Sequence, residues 1–517
     1  MQPSPYLTEG TEADLMREKN QDGVVADSLS LPRESLFLFT ICMAQFMTLF
    51  GLGQTLGILH NIGDSLAIAN SGELSWLVAG YSLTAGTFIL VAGRVGDCFG
   101  YKNMFLAGML WTAIWSMISG VSVYANATML IIARVFQGIG PAFLLPNSLA
   151  ILGVSYSPGP RKNMAFALFG ACAPLGGAAG FIFTALFALT WWPWSFLSTA
   201  IALVVFTVLA AVVIPPLPAS PHRSKSLLDK LQMLDLPGAT TGVAALVLIN
   251  VAWNQAPSVG WKEPYIPVIL ALGIICVAVF FLIERRFAPM PLIPFAALTV
   301  DILLLIGCVA CGWACFGVWV YYVCQFIQEL KGASPLLLAA YMSPVAVSGT
   351  LASVAVGLLL HLVAPSWIMT FSLTCFTVGS ILLATAPVDQ TYWAQLFCCM
   401  LIIPWGMDTS FPAATVIFSN TVAAEHQGMG ASLIATTVNY SISLGLGIAA
   451  TVERYVKNGD NTEADQLKGY RGALYTGIGF AGLGIILSLA MVMRGLHKSR
   501  NTSLPQRDSA TCVTENC

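Results

Sequence analysis

Two short stretches of the sequence, one in each half of the chain, are related to each other. Residues 140–152 read GPAFLLPNSLAIL and residues 406–418 read GMDTSFPAATVIF. They align without gaps, so that Pro146 falls on Pro412 and a glycine opens both stretches. Either the chain contains an internal repeat, or two helices that carry Gly and Pro resemble each other by chance. Internal repeats build many membrane proteins, and the layout of the apolar segments favours that interpretation.

The composition of the chain places it in lipid. Of its 517 residues, 57% are apolar and only 9% are Asp, Glu, Lys or Arg, and the mean hydropathy is +0.77. Soluble domains carry about 25% charged residues, and a protein in water needs a mostly polar exterior. The formal net charge of −2 offers no basic surface for nucleic acid. We therefore expect an all-α membrane protein.

Apolar runs long enough to cross a bilayer occur fourteen times. Six precede a polar, Pro-rich stretch at 215–230, two follow it, and six more lie beyond a second break, ERRFAPMPLIP, at 284–294. This 6+2+6 order predicts a bundle of two pseudo-symmetric six-helix halves with an extra helix pair between them. The predicted spans are 35–58, 74–95, 104–123, 128–152, 164–188, 194–215, 237–255, 265–284, 300–327, 335–360, 366–387, 392–418, 428–452 and 472–494.

The same pattern divides the chain into five segments. The amino terminus lacks the basic region and short apolar core of a cleaved signal peptide, so we expect the first span to be an uncleaved anchor. The expected segments are a disordered cytoplasmic tail at 1–34, a six-helix half at 35–215, a linker with the two extra helices at 216–298, a second half at 299–495 and a disordered cytoplasmic tail at 496–517.

The basic residues predict the orientation of the chain. With the amino terminus inside, sixteen of the 23 Lys and Arg residues lie on the cytoplasmic side, six lie outside, and Arg134 lies within a span. This bias follows the positive-inside rule and places both termini in the cytoplasm. Asn126 then falls in a short external loop as a candidate glycosylation site. All 13 cysteines fall in spans or on cytoplasmic segments, so we expect no external disulfide.

Two ionisable residues are predicted to lie deep in the bundle. Arg134 belongs to the fourth span, and an Arg there costs about 2.5–3.5 kcal/mol on insertion scales, so it should face the interior and find partners. A structural hydrogen-bond hub is the alternative to a functional role. Asp408 belongs to the twelfth span, where the repeat has Ala142. It is a candidate proton carrier or counter-charge for a cation, unless it is protonated and bonded to a backbone carbonyl.

The loop after the second span reads GRVGDCFGYK, residues 93–102. Glycines let two helix ends approach closely, and the Asp carboxylate can cap the next helix or pair with a basic residue, although an ordinary charged turn has the same composition. The segment resembles the signature of the major facilitator superfamily, with Val and Tyr at two positions where Leu and a basic residue are usual. The resemblance implies a cytoplasmic gate in which Asp97 and Arg94 or Lys102 hold that side shut. The candidate gate residues are Gly93, Arg94, Asp97, Gly100 and Lys102.

The fourth and fifth spans extend this resemblance. In proton-coupled facilitators, the Arg that matches Arg134 influences proton transfer and substrate binding. The fifth span contains GACAPLGGAAG, residues 170–180, which is similar to the Gly/Pro signature of the antiporter branches. It departs from that signature at Ala173, where Gly usually precedes Pro, and by one residue fewer before the Gly pair. The resemblance implies antiport, with candidate antiporter-helix residues Gly170, Pro174, Gly176, Gly177 and Gly180.

A closer resemblance covers nearly the whole chain between the tails. The segments RVFQGIGPAFLLPNSLAILG, PRKNMAFALFGACAP, WWPW and GMDTSFPAA look like the fungal aminotriazole-resistance branch of the 14-span drug:proton antiporter group. This implies proton-driven export of small organic molecules, such as drugs, toxins or secondary metabolites, across the plasma membrane, with the vacuolar membrane as an alternative. It leaves room for members that move small inorganic or nitrogenous solutes, such as borate or ammonium.

A substrate cavity is expected among aromatic and amide side chains within the spans. Pockets for amphipathic molecules are mostly apolar with a few polar groups. No dense ring of basic residues occurs in the spans, so a multiply anionic substrate is disfavoured. For each candidate, a lipid-facing or packing role is an equal alternative. The candidates are Gln45, Gln54, Gln137, Trp313, Tyr321, Gln325, Trp405 and Asn439.

Other functional classes lack their motifs. The spacing of His60 and Asp64 imitates some acyltransferases, but no second catalytic element accompanies it, so we expect no enzyme. No Walker motif occurs, so an ion gradient and not ATP should supply the energy. Cys308, Cys311 and Cys315 have no nearby His and are expected to pack without a metal. We expect no cofactor, and a monomer whose partners are a small molecule, protons and lipids. A facilitative channel or uniporter and a non-transporting receptor are the rival hypotheses.

Overall fold

The computed structural model describes residues 25–68, 71–157, 159–217, 229, 233–288, 291–292, 298–421, 427–460 and 462–502. Within these residues the chain is helical and contains no β-strand. Fourteen helices are long and apolar enough to cross a membrane, which confirms the predicted number and order of spans. Most of the two predicted tails lies outside the described residues.

The spanning helices are labelled α1 to α14 in chain order. A short helix, Leu59–Ser65, follows α1, and α9 ends in a π-helical turn, Phe326–Leu330. The spanning helices are α1 (Leu31–Gly57), α2 (Ser71–Phe99), α3 (Tyr101–Val121), α4 (Ala127–Ser155), α5 (Pro160–Ala188), α6 (Pro193–Val213), α7 (Leu236–Val259), α8 (Tyr265–Arg286), α9 (Val300–Leu330), α10 (Pro335–Leu359), α11 (Pro365–Thr385), α12 (Gln395–Thr421), α13 (Gln427–Val456) and α14 (Glu463–Thr502).

Local sequence determines where several helices begin. A proline occupies the first position of α5, α6, α10 and α11, where a missing N–H costs nothing because the first turn has no acceptor for it. Asn126 caps α4, since its side chain accepts a hydrogen bond from the backbone N–H of Met129 at 2.8 Å. Ser334 caps α10 in the same way through the N–H of Leu337, at 3.3 Å.

Close helix approaches depend on glycine at a few positions. Helix α4 is interrupted at Gly138, and a Cβ added there would lie 2.2 Å from the carbonyl oxygen of Tyr81 on α2. A Cβ at Gly86 of α2 would lie 2.5 Å from the backbone nitrogen of Tyr440 on α13. Since real Cβ contacts are far longer, only glycine permits these crossings, and they bring α2 against both neighbours.

The helix contacts connect the two six-helix halves along two seams. Helix α2 packs along α13, and α5 packs along α10. Helix α7 of the extra pair packs against α8 and also against α2 and α13, one from each half. There the Nδ2 group of Asn254 donates to the Ser443 carbonyl oxygen at 3.2 Å, and Trp76 Nε1 donates to Gln255 Oε1 at 3.0 Å. The extra pair therefore lies against the α2–α13 seam.

Candidate functional site

A small cavity of about 50 Å³ lies between the two halves. Helices α1 and α5 line it from the first half, and α9, α10 and α12 line it from the second. The lining side chains are almost entirely apolar, with aromatic rings from both halves. They are Leu49, Leu52, Gly53, Leu56, Ala173, Pro174, Gly177, Ala178, Phe181, Phe316, Trp319, Val320, Met342, Val345 and Met407.

Asp408 follows the lining residue Met407 on α12 and lies at the seam between α5 and α10. Its Oδ2 atom is 2.6 Å from the point where a Cβ on Gly349 would stand, and the Cβ of Pro174 is 2.7 Å from that same point. The residue is only 8% exposed. Among the described residues, no group donates a hydrogen bond to Oδ2. A carboxylate oxygen without a donor at this depth must be served by a proton, a cation or water.

The backbone around Asp408 is held by α11. Ser372 Oγ donates to the carbonyl oxygen of Gly406 at 2.5 Å, and Gly406 itself lies against the ring of Phe376. Two prolines, at 404 and 412, lie inside α12 and each removes a backbone donor. The carboxylate therefore projects from a fixed segment of α12 toward α5 and α10.

Arg134 is fully buried in the first half and is surrounded by neutral acceptors. Its Nε donates to the Leu77 carbonyl oxygen at 3.1 Å, Nη2 to the Gly51 carbonyl oxygen at 3.0 Å, and Nη1 to Gln137 Oε1 at 2.6 Å. Its guanidinium also lies 4.4 Å from the ring centroid of Tyr81. These contacts tie α4 to α1 and α2. The structure does not bring Arg134 into contact with Asp408.

The segment at 93–102, predicted to be a loop, instead forms the last turns of α2 and the start of α3, with Gly100 between them, and its side chains contact several neighbouring segments. Arg94 donates to the Met233 carbonyl oxygen at 3.2 Å and also to the carbonyl oxygen of Pro291, both near the extra helix pair. Asp97 Oδ1 accepts a hydrogen bond from the hydroxyl of Tyr101 at 2.8 Å. Three further candidates lie in the same segment. Gly100, between the two helices, has φ +96°, and Gly93 of α2 lies beside Ser432 of α13. Lys102 of α3 donates to the carbonyl oxygens of Ala211 and Ile214 at the end of α6.

The glycines of α5 divide between two faces. A Cβ at Gly176 would lie 2.2 Å from the carbonyl oxygen of Phe46, and one at Gly180 would lie 2.4 Å from that of Phe50. These two glycines let α1 and α5 pack backbone to backbone. Gly177 lines the cavity with open space at its Cβ position. One helix therefore serves tight packing on one face and the cavity on another.

This packing predicts a difference in stability between two substitutions on α5. Gly176→Ala should destabilise the protein by about 1–3 kcal/mol, because overpacking forces α1 away from α5. Gly170→Ala is the matched control, since no atom lies within 4 Å of its added Cβ and alanine favours a helix. Thermal unfolding in detergent should show a lower midpoint for the first variant only. Equal midpoints for both variants would contradict the close approach.

None of the eight amide and aromatic residues predicted for the cavity is among the residues that line it. Gln54 is buried and donates to Ser195 and Thr199 of α6. Gln325 donates to the hydroxyl of Tyr321 at 2.8 Å. The remaining five candidates also lie within helices. Gln137 contacts Arg134 and Ser116, Asn439 donates to the carbonyl oxygen of Ala435, and Gln45 is half-buried. Trp313 packs against the rings of Phe316 and Phe376, and Trp405 packs against the ring of Phe371.

Glu453, near the end of α13, was not among the residues predicted to be functional. The structure buries Glu453 to 3% exposure, where Tyr322 donates to it at 2.6 Å and Lys457 forms an ion pair with it. The signal was present in the sequence, because a Glu four residues before a Lys forms a pair on a helix. Asp301, the other acidic residue at a span end, pairs with Arg494 at 2.8 Å.

The chain is similar to known transporters by family model and by sequence. The family model of the Major Facilitator Superfamily matches residues 35–446. The chain is 50% identical over 472 residues to a low affinity ammonium transporter of Saccharomyces cerevisiae, covering 91% of each protein. It is 43% identical over 493 residues to the efflux pump terG of Aspergillus terreus, covering 95% of this chain and 93% of that protein.

A third relative and a solved structure complete the comparison. The aminotriazole resistance protein of Saccharomyces cerevisiae is 39% identical over 478 residues, covering 90% of this chain and 85% of that protein, which confirms the resemblance drawn from the sequence. The crystal structure of a POT family transporter in complex with a thioalcohol conjugated peptide matches with a TM-score of 0.66 at 14% identity. It covers 89% of this chain and 96% of that chain, and the likeness concerns the fold alone.

Proposed function

Because the chain belongs to the major facilitator superfamily, we propose that it is a proton-coupled secondary transporter that exports small organic molecules by alternating access. Relatives named as an efflux pump and as an aminotriazole resistance protein support export. In this proposal the transporter is a monomer in the plasma membrane with both termini in the cytoplasm, and Asn126 carries a glycan.

The position of Asp408 is the observation that carries the proposal. Its carboxylate lies at the α5–α10 seam, beside the cavity and without a described hydrogen-bond donor to Oδ2. A bound proton removes a charge from this apolar contact, whereas an ionised carboxylate requires water or a cation. The two protonation states therefore favour different separations of α5 and α10. Such a difference is what couples proton binding to a movement of the halves.

Arg134 and the cytoplasmic loop complete the proposed mechanism. We assign to Arg134 an influence on proton transfer and substrate binding through the α1 and α2 carbonyl oxygens that it holds. We assign to the segment at 93–102, where α2 ends and α3 begins, the closing of the cytoplasmic side. Arg94 supports this role because it bonds backbone carbonyl oxygens of two segments that flank the extra helix pair.

A small nitrogenous solute, such as ammonium, is the second candidate substrate. The cavity of about 50 Å³ is far smaller than the roughly 300–1,000 Å³ typical of sites for drug-sized ligands. A carboxylate next to a cavity that is lined by aromatic rings suits a small cation. The relative named as a low affinity ammonium transporter supports this alternative. Export of larger molecules requires the cavity to widen when the halves separate.

Flux in proteoliposomes tests both candidates. The purified chain is reconstituted, a pH gradient is imposed, and uptake of aminotriazole, a panel of azoles and radiolabelled methylammonium is measured. Proton-driven accumulation of the organic compounds is expected. Accumulation of methylammonium alone would favour the second candidate. Equal flux with and without the pH gradient would refute proton coupling and favour a facilitator.

A substitution in the cavity tests whether this cavity is the substrate path. Gly177→Ile should reduce flux at least tenfold, because the side chain extends into open space between the halves and fills the cavity. Gly170→Ile is the matched control, since a Cβ at Gly170 also meets no atom within 4 Å, but Gly170 is on the same helix and not among the residues that line the cavity. Initial rates at several substrate concentrations provide the measurement. Equal rates in the two variants would place the path elsewhere.

A further inference from the structure

A cluster of ionisable side chains lies at the predicted external end of the bundle. His60, on the short helix after α1, contacts Glu329 on the π-helical turn of α9, with 3.3 Å between Nδ1 and Oε1. The hydroxyl of Tyr470 on α14 donates to Oε2 of the same carboxylate. Both members of the pair are partly exposed, with 22% of the His60 side chain and 31% of the Glu329 side chain accessible. Solvent protons therefore reach the pair.

A buried second layer supports this pair. Tyr322 donates to Glu453 at 2.6 Å, and Lys457 forms an ion pair with the same carboxylate. The ammonium group of Lys457 also lies 5.3 Å from the ring centroid of Tyr470. The hydroxyl of Tyr470 donates to Glu329, so that the two layers share one tyrosine. The cluster thus joins α9, α13 and α14 of the second half.

His60 is the member of the cluster that belongs to the first half. Next to the pair, the Nε2 group of Gln328 donates to the carbonyl oxygen of Gly57, at 3.2 Å, and so also joins α9 to the end of α1. When the external side opens, the ends of α1 and α9 must separate, since they belong to different halves. Both contacts are lost in that movement. They therefore stabilise the arrangement in which the ends of α1 and α9 are in contact.

We propose that His60 and Glu329 form a pH-sensitive latch that holds the external side closed. With neutral His60, the cluster contains two carboxylates, Glu329 and Glu453, and one cation, Lys457, and so carries one negative charge. Protonation of His60 adds one positive charge and brings the net charge of the cluster to zero. Nε2 of His60 is buried and has no hydrogen-bond partner among the described residues, so the contact of Nδ1 with Glu329 is the interaction that a charge on the ring strengthens. A charged imidazole attracts the Glu329 carboxylate more strongly than a neutral one, so the latch tightens as external pH falls and loosens as it rises.

The other charged groups around the pair are directed elsewhere. Asp64 and Glu73 on the first half are exposed to solvent. Lys331, two residues after Glu329, donates to the carbonyl oxygens of Val388 and Gln390 at 2.5 and 2.7 Å. Burial lowers the pKa of Lys331 from its usual value, and Asp389 opposes that shift. Glu329 is therefore the carboxylate that faces His60 within the described residues.

The latch is tested by a distance measurement across the external side. Spin labels on genetically encoded ketone side chains at Tyr124 and Ala464, both exposed and one on each half, leave the native cysteines unchanged. Double electron–electron resonance is recorded on the full chain in lipid nanodiscs at pH 7.5 and 5.5. The ratio of short to long distances should rise about two- to fivefold at the lower pH, the size expected of a partly exposed ion pair.

Variants assign this shift to the pair. His60→Gln keeps a donor toward Glu329 but cannot gain a charge, so the ratio should no longer depend on pH. Glu329→Gln removes the carboxylate partner of His60 and should also abolish the pH dependence of the ratio. His361→Gln, at an exposed histidine, should retain the pH dependence. A full shift in His60→Gln, or no shift in the unaltered chain, overturns the latch. Asp408 has no part in this measurement, so its outcome is independent of proton coupling.

Discussion

Replacing Asp408 by Asn should abolish proton-driven export while the protein still folds and reaches the membrane. The amide has nearly the same shape as the carboxylic acid, so the α5–α10 seam that Gly349 and Pro174 form with it is retained. The amide can neither bind nor release a proton at that position. Accumulation against a gradient in proteoliposomes should therefore be lost, whereas exchange of labelled for unlabelled substrate, which needs no net proton movement, should continue.

A matched substitution controls for the general effect of removing a carboxylate. Asp301→Asn also removes one acidic group from a spanning helix, but Asp301, in the first turn of α9, pairs with Arg494 of α14, and 33% of its side chain is exposed. We expect this variant to keep proton-driven export within about twofold, since exposed ion pairs contribute little. Proton-driven accumulation by Asp408→Asn at the level of Asp301→Asn would remove Asp408 from the coupling mechanism.

The fold could be predicted because the membrane imposes one rule on every span. Each crossing needs about 20 apolar residues with internally bonded backbone, so run lengths alone predicted all fourteen helices. The ends of the helices were predicted less well than their number. The last span was predicted at 472–494, whereas α14 is Glu463–Thr502. Its first two turns are polar, and hydropathy does not register a helix that extends beyond the lipid.

The site was only partly predictable, for a physical reason. A charge within an apolar run is conspicuous, so Asp408 and Arg134 were found from the sequence. The residues that line the cavity, such as Trp319 and Met342, have the same composition as those that face lipid. Only the packing of helices from different halves distinguishes them. The break at Gly138 likewise reflects the approach of Tyr81 on another helix, which no local pattern records.

Arg134→Ala should also abolish export, by a different route. The substitution removes donors from the carbonyl oxygens of Leu77 and Gly51 and from Gln137, all in a buried site. Each buried acceptor left without a donor costs about 1–3 kcal/mol, so we expect a lower unfolding midpoint together with the loss of flux. Arg161→Ala, at a side chain that is 56% exposed, is the control and should retain the unfolding midpoint and the flux of the unaltered protein.

Arg134→Lys separates the functional role of Arg134 from its role as a hydrogen-bond hub. Lysine keeps the positive charge, but its single ammonium group cannot reach acceptors on three sides as the planar guanidinium does. If the charge governs proton transfer, Arg134→Lys should recover measurable proton-driven export and shift its pH profile, despite a lowered unfolding midpoint. If Arg134 is only a hub, flux in both variants should follow stability. An Arg134→Ala protein with the wild-type unfolding midpoint and full export would refute both roles, because neither the charge nor the three hydrogen bonds would then be required.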